Sequence, residues 1–283
     1  MTRHKLIIGN CMSMREIEDN SVHLMVTSPP YFNAPFDYKG VFDDYDHYLT
    51  MLMKCASEVY RVLQDGRIAA LNIDDMLIKG KKYPITADAT KIFIEAGFKY
   101  RDKIIWKKPD GYLRISRRSG VLIQNPYPMY YYPDNLLESI IIFQKGDFDY
   151  KSISAEVREA SKIEIQEIKD NKWYMNFWEM TNVLPSSKLE KGIAAFPDKL
   201  PYRIIKLFSY KGETVLDPFV GSGTTMKIAR QLGRNSIGIE IKKSLEPIIK
   251  EKLGFANVQM SLNNYCDTYE VYMREDDRYG YIC

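Results

Sequence analysis

Thr214-Val-Leu-Asp-Pro-Phe-Val-Gly-Ser-Gly-Thr-Thr225 reads as an apolar strand closing on an acid, a glycine-rich turn and the start of a helix that continues to Leu232. Strand, tight turn and helix in that order form the unit of a doubly wound α/β sheet. Gly221 and Gly223 let the backbone reverse and approach a ligand with no Cβ in the way. The following strand, Ser236-Ile-Gly-Ile-Glu240, ends on a second acid, at the place where such folds grip ribose hydroxyls. No Gly-Lys-Ser/Thr follows the glycines, so this is not a phosphate loop.

Outward from that unit, short apolar runs alternate with stretches of helical period, the pattern of a mostly parallel sheet with crossover helices. Leu6-Ile-Ile8 and Val22 to Val26 read as strands, the second entered from a turn at Asn20-Ser21. Tyr45 to Leu63 has apolar residues at Leu49, Leu52, Met53, Ala56, Val59, Tyr60 and Leu63 and reads as an amphipathic helix. Asp65-Gly66 stops it before the strand Ile68 to Ile73. Thr86 to Ala96 repeats the theme with Gly97 as its cap, and Pro201 to Tyr210 reads as a further helix. Lys103 to Trp106 and Ser139 to Phe143 read as an antiparallel pair at the sheet edge. From Lys107 to about Leu189 periodicity weakens while Pro, Asn and Tyr accumulate. The expected division is therefore a discontinuous domain, 1–107 and 190–264, interrupted by 108–189. That insertion holds an edge strand near 138–145 that fits the main sheet. Residues 265–283 read as a polar, Tyr-rich tail without assigned role.

Composition narrows the class. A chain of 283 residues that is 45% hydrophobic can bury a full core. Forty basic residues against 37 acidic ones leave a net charge of +3, so any nucleic-acid contact must come from a local patch. Cys11, Cys55, Cys266 and Cys283 are scattered with no C-x-x-C pair, which argues against a zinc site or disulfide framework and fits a reducing cytoplasm. No leader is read at Met1-Thr-Arg-His-Lys5, and no apolar stretch approaches a membrane span. The expectation is a soluble, cytoplasmic protein without a metal and without a membrane partner.

A second signature, Ser28-Pro29-Pro30-Tyr31, closes the run Val22 to Thr27. An amino nitrogen on cytosine or adenine is a poor nucleophile because its lone pair is delocalised into the ring. Acceptors that take both amino hydrogens pull that nitrogen toward tetrahedral geometry and free the lone pair. Ser28 Oγ and the Pro29 carbonyl suit this, since the two prolines lock φ and fix where the oxygens point. Pro30 also removes a competing N–H. Tyr31 offers a face on which an extruded base can stack. The first unit suits S-adenosylmethionine: N–H groups at the helix start would meet its carboxylate, Asp217 its ammonium, and Glu240 its ribose. Together the two signatures point to methyl transfer onto an amine by in-line displacement, with positioning as the main catalytic contribution. Chemistry at carbon 5 of cytosine would need a cysteine nucleophile in a comparable turn, and none of the four is so placed.

These residues resemble the amino-methyltransferases of restriction–modification systems over most of the chain outside roughly 108 to 185. The tetrapeptide comes first, the recognition region next and the cofactor loop last, an order that resembles the β class. The resemblance implies a Rossmann-like S-adenosylmethionine-dependent methyltransferase fold, a mixed and mostly parallel sheet with helices on both faces, in circularly permuted motif order with an inserted target-recognition region. Ser28-Pro-Pro-Tyr31 is the variant typical of the cytosine-N4 enzymes, whereas adenine-N6 enzymes more often begin it with Asp or Asn. Phe196-Pro-Asp-Lys-Leu-Pro201 resembles the cofactor-side motif of the N4 group, which implies Phe196 and Lys199 alongside Asp217, Pro218, Phe219, Gly221, Gly223, Thr224 and Glu240. Leu6-Ile-Ile-Gly-Asn-Cys11 resembles an element whose acid lies near the cofactor adenine, and here Asn10 takes that place without the charge. Ile105-Trp-Lys-Lys108 resembles the strand before the recognition region. Release-factor glutamine methyltransferases use a related Asn-Pro-Pro-Tyr with the cofactor loop first, so the order here speaks against them.

Duplex DNA is the implied substrate, a companion restriction endonuclease the implied functional partner, and the resemblance also admits a homodimer. Between Lys99 and Arg118 eight basic residues face only Asp102 and Asp110. Lys107, Lys108, Arg114, Arg117 and Arg118 are the expected DNA contacts, giving salt-sensitive affinity with Arg114 to Arg118 reaching guanine edges. Tyr127 to Tyr132 and Trp173 to Trp178 read first as packing for a small subdomain and only second as stacking on DNA. Asp37 and Asp43 to Asp46 read as surface and capping charge. The expected activity is cytosine-N4 methylation of a specific duplex site. Adenine-N6 methylation is the alternative, and an inactive DNA-binding specificity subunit is the rival of another class.

Overall fold

The computed structural model describes residues 1–34, 41–109, 119–181, 196–256 and 267–274. In chain order the elements are β1 (Arg3–Ile8), β2 (Val22–Thr27), α1 (Tyr45–Val62), β3 (Leu63–Ile73), a hairpin of β4 (Met76–Ile78) and β5 (Lys81–Tyr83), α2 (Ile85–Glu95) and β6 (Lys99–Lys107). Then follow α3 (Ser119–Gln124), β7 (Leu137–Gln144), α4 (Ala155–Ala160), α5 (Ile165–Asp170), β8 (Phe177–Glu179) and α6 (Lys199–Phe208). The chain returns to the main sheet with β9 (Thr214–Asp217), α7 (Thr224–Gln231), β10 (Asn235–Glu240), α8 (Glu246–Lys252) and β11 (Thr268–Met273).

Nine strands form one sheet in the order β11-β1-β10-β9-β2-β3-β7-β6-β8. All neighbours pair in parallel except β3 with β7 and β7 with β6. Strand β7 alone therefore runs against the rest, and its first residues lie at the edge where the other strands end.

Period-2 alternation splits the core in two. Met25, Ala69, Leu71, Ile141, Phe143, Leu216 and Ile239 join α1 and α2 on one face, while Leu24, Val26, Ile68, Ala70, Ile140, Ile142 and Val215 join α6 and α7 on the other. Helix α1 buries Tyr48, Met51, Leu52, Cys55, Ala56, Val59 and Val62, the i, i+3, i+4 stripe of an amphipathic helix. Asp44 caps it by accepting from the His47 N–H at 2.8 Å, as the capping reading expected. Removing each such Leu, Ile, Val or Phe side chain from water contributes roughly 1.5–3 kcal/mol.

Three expectations are corrected. The strand near 138–145 is interior, because β7 lies between β3 and β6. Strand β6 is no edge either, since β8 from within the insertion pairs with it and brings the buried Trp178; three residues are too few to show a period. Part of the expected tail is also a strand: β11 pairs β1 from Arg3↔Thr268 to Ile8↔Met273. As an edge strand of Tyr and Glu with little burial it reads as polar loop. Finally, Trp173 and Trp178 are buried as packing requires, but Tyr127, Met129, Tyr130, Tyr131 and Tyr132 are all exposed.

At the opposite end of the strands Arg67 and Glu213 form a buried pair at 2.5 Å, the carboxylate also accepting from the Tyr210 N–H at 2.7 Å. Glu213→Ala should lower unfolding free energy by about 3–5 kcal/mol, because it strands a guanidinium away from water. Urea denaturation measures this, and a loss below about 1 kcal/mol would contradict it.

Candidate active site at the carboxyl edge of the sheet

The sheet order sets the ends of β1, β10, β9, β2 and β3 side by side, roughly 4.8 Å apart per strand. Asn10, Glu240, Asp217, Ser28 and Asn72 follow or close those strands, so residues far apart in sequence share one edge. In open α/β sheets ligands bind outside the carboxyl ends, where strand order reverses. Here that crevice lies between β9 and β2, and Thr27 Oγ1 donates across it to Asp217 Oδ1 at 2.6 Å.

On the β9–β10 side, Gly221 and Gly223 adopt φ of 54° and 89°, the left-handed turn expected of them. Asp217 is 2% exposed and its Oδ1 also accepts from the Phe219 N–H at 3.1 Å. Burial raises its carboxyl to about 6, against the pull of Thr27, Thr225 and that N–H. Glu240 is raised by burial too, while two backbone N–H groups oppose the shift. Those groups are Gly221 N–H to Oε2 and Lys242 N–H to Oε1, each at 2.9 Å. Within the loop itself the Gly221 N–H is taken up by the Glu240 carboxylate, so the helix start from Thr224 onward is where the expected carboxylate-binding N–H groups lie. Pro218 is buried and Phe219 half-buried. Thr224 is buried with its hydroxyl accepting from Lys252 Nζ at 2.8 Å. Asn10 turns the chain by accepting from the Met12 N–H at 2.9 Å, and Arg274 after β11 donates to its carbonyl at 2.7 Å. Phe196 packs against the second core face, while Lys199 starts α6 exposed, without a hydrogen bond or ion pair to these acids among the described residues.

On the β2–β3 side, Pro29 and Pro30 are buried and Ser28 and Tyr31 half-buried. Asn72 Nδ2 lies 3.4 Å from Ser28 Oγ, 3.3 Å from the Tyr31 hydroxyl and 2.7 Å from Glu138 Oε2. The Tyr31 hydroxyl donates to that same oxygen at 2.9 Å, and Lys108 Nζ meets Glu138 Oε1 at 2.5 Å. Burial first, then the charges of Glu138 and Asp74, push the Tyr31 phenol well above its usual range. Asp74 is raised to about 7 by burial and then by Glu138, with Lys108 opposing. Asn72 Oδ1 is buried with no hydrogen-bond partner.

Sequence reading missed Asn72, Asp74 and Glu138. The first two sit at or just past the end of a strand that reads as plain core. Glu138 reaches the edge only because β7 is reversed.

Of the basic segment, Lys108 is largely buried against Glu138 and Trp106 and faces the pocket. Lys107 pairs with Glu179 at 3.5 Å and Lys99 with Asp147 at 2.7 Å. Arg114, Arg117 and Arg118, like Asp37, lie outside the described residues. No group of acids, His and Cys fit to hold a metal occurs among the described residues. No described helix is long and apolar enough to cross a membrane.

A family profile described as DNA methylase, covering N6 and N4 methyltransferases, matches residues 22–251. The type II methyltransferase M.MjaI of Methanocaldococcus jannaschii is 36% identical over 93% of this chain and 95% of its own. M.MthZI of Methanothermobacter thermautotrophicus, also a type II methyltransferase, is 32% identical over 93% of this chain and 79% of its own. TTHA0409 of Thermus thermophilus, assigned as a DNA modification methylase and solved with S-adenosyl-L-methionine, superposes with TM-score 0.72 at 27% identity over 95% of this chain and 99% of its own. The PvuII DNA methyltransferase (cytosine-N4-specific) shares the fold at TM-score 0.64 and 18% identity over 92% of this chain and 89% of its own.

Proposed function

Since the chain belongs to the DNA methylase family of N6/N4 amino-methyltransferases, with the β-class motif order of restriction–modification enzymes, we propose that it methylates the N4 amine of cytosine at a specific duplex site. It is an S-adenosylmethionine-dependent DNA methyltransferase, and the proposal concerns the base and the residues. The observation that carries it is Ser28: a hydroxyl, not a carboxylate, follows Thr27, which bonds Asp217 across the crevice, and Asn72 Nδ2 lies 3.4 Å from its oxygen. A host whose sites are so modified would be protected from a companion endonuclease cutting the same sequence.

Two buried acids at the ends of adjacent parallel strands suit the cofactor: Glu240 its ribose hydroxyls and Asp217 its ammonium. When bound, the cofactor supplies an electrophilic methyl group on sulfonium sulfur. Ser28 Oγ and the Pro29 carbonyl accept from the target amine, the prolines hold those oxygens rigid, and the Tyr31 ring stacks on the extruded base. Asn72 and Glu138 fix Ser28 and Tyr31, and Lys108 neutralises Glu138.

Because burial raises Asp217 to about 6, its anion must be formed before it can meet an ammonium. Affinity for the cofactor should therefore be level above about pH 6 and weaken up to tenfold per unit below it, as protons compete for the carboxylate. Calorimetric titration at about pH 5, 6 and 7 checks this, and equal affinity at all three would exclude Asp217 as the partner.

The base is tested by incubating the protein with mixed genomic DNA and methyl-deuterated S-adenosylmethionine, then separating the nucleosides by mass spectrometry. Labelled N4-methylcytosine is expected. Labelled N6-methyladenine would keep the enzyme and overturn the base; no label, from folded protein, would overturn both.

A further inference from the structure

A duplex that gives up a base keeps a gap in its stack, and we infer that Met129 is the side chain that fills it. The inference rests on the methyltransferase reading above and names the residue that opens the DNA for it. Tyr127-Pro128-Met129-Tyr130 is a tight turn in which the Tyr130 N–H donates to the Tyr127 carbonyl at 3.4 Å. Pro128 occupies the second position and Met129 the third with φ of 74°, the pattern of a type II turn. That third position normally belongs to glycine, because a Cβ there clashes with the backbone. Met129 is moreover 91% exposed, so a long apolar side chain is held in water in a strained conformation. Among the described residues nothing offsets either cost. Pro126, Pro128 and Pro133 limit the freedom of the segment, so the tip is stiff rather than floppy.

Location supplies the partner. The turn is continuous with the active site: Asn135 Nδ2 donates to Asp74 Oδ2, and the Lys108 N–H donates to the Leu136 carbonyl at 2.8 Å, just before Glu138. From Met129 to Asn135 an extended chain spans at most about 20 Å, so tip and pocket can touch one duplex. Tyr127 and Tyr131, 65% and 70% exposed, flank the tip with further ring surface. Proteins that unstack a base step commonly insert a Met, Leu, Ile or Phe wedge, and extruding a base costs a few kcal/mol that such a wedge repays in part. An unbranched methionine adapts to the irregular space between neighbouring bases.

The test compares Met129→Gly, Met129→Leu and the wild type on two duplexes carrying the site mapped on wild-type-modified DNA. In one the target base is paired; in the other it is mispaired and already partly unstacked. Glycine relieves the turn, so Met129→Gly should melt at or above the wild-type temperature. Its kcat/KM should nevertheless fall about tenfold or more on the paired duplex, as expected when even one or two kcal/mol of flipping cost is unmet. On the mispaired duplex it should return to near the wild-type value, and Met129→Leu should stay near wild type on both. Equal loss on both duplexes would mark a general DNA contact and overturn the inference, as would no loss on either. A wild type that labels no DNA base would take the methyltransferase reading down with it, which separates the two failures.

Discussion

Ser28→Ala lowers methyl transfer on the order of a hundredfold to a thousandfold while leaving S-adenosylmethionine binding within about twofold, the scale seen when one pre-aimed hydrogen-bond group is removed. A hydroxyl has one proton to donate and two acceptor positions. In the free protein Asn72 Nδ2 approaches the Ser28 oxygen at 3.4 Å. One acceptor position remains for an amine entering the crevice. Alanine removes that acceptor without touching Asp217 or Glu240, so the loss belongs to kcat, not to cofactor affinity. Single-turnover transfer from tritiated cofactor measures the chemical step, and calorimetry measures binding. A variant that transfers at more than about a third of the wild-type rate would remove Ser28 from the chemistry.

Glu138→Ala carries two separable losses. Lys108 and Glu138 are both nearly buried, with side chains 16% and 11% exposed. Stripping the carboxylate strands an ammonium, and breaking such a pair costs about 3–5 kcal/mol of stability. The same change leaves the Tyr31 hydroxyl and Asn72 Nδ2 without the acceptor they share. Transfer should then fall by on the order of tenfold or more as the tetrapeptide loosens, since misplacement of about 1 Å can cost a hundredfold. Adding Lys108→Met should recover much of the stability by removing the uncompensated charge, but none of the activity. Recovery of both together would reduce Glu138 to a structural counter-ion.

The division between what was legible and what was not follows physical lines. Helices α1, α2 and α7 announce themselves because each buries one stripe at the helical period, and strands β2, β9 and β10 because each is a short apolar run, buried on both faces, that ends on a turn. Strand β11 did not, since an edge strand of Tyr and Glu with half its surface in water lacks apolar contrast. Strand β8 is too short for any period. The tetrapeptide and the glycine loop are local in sequence, so Ser28, Tyr31, Asp217 and Glu240 could be nominated without a structure. Asn72, Asp74 and Glu138 could not, because an Asn or Glu at a strand end has no chemistry until something is placed opposite it.

The amino-acid sequence by itself determined the fold class, the cofactor and the two loops proposed to carry the chemistry, because hydrophobic period and turn geometry are properties of neighbouring residues. Only the tertiary structure decided which charges face those loops. The reversed strand β7 turns Glu138 toward Tyr31, draws Lys108 inward away from the expected DNA surface, and leaves Met129 at the tip of a strained turn in water. Pairing and burial between distant segments depend on strand order and direction, which no local pattern encodes.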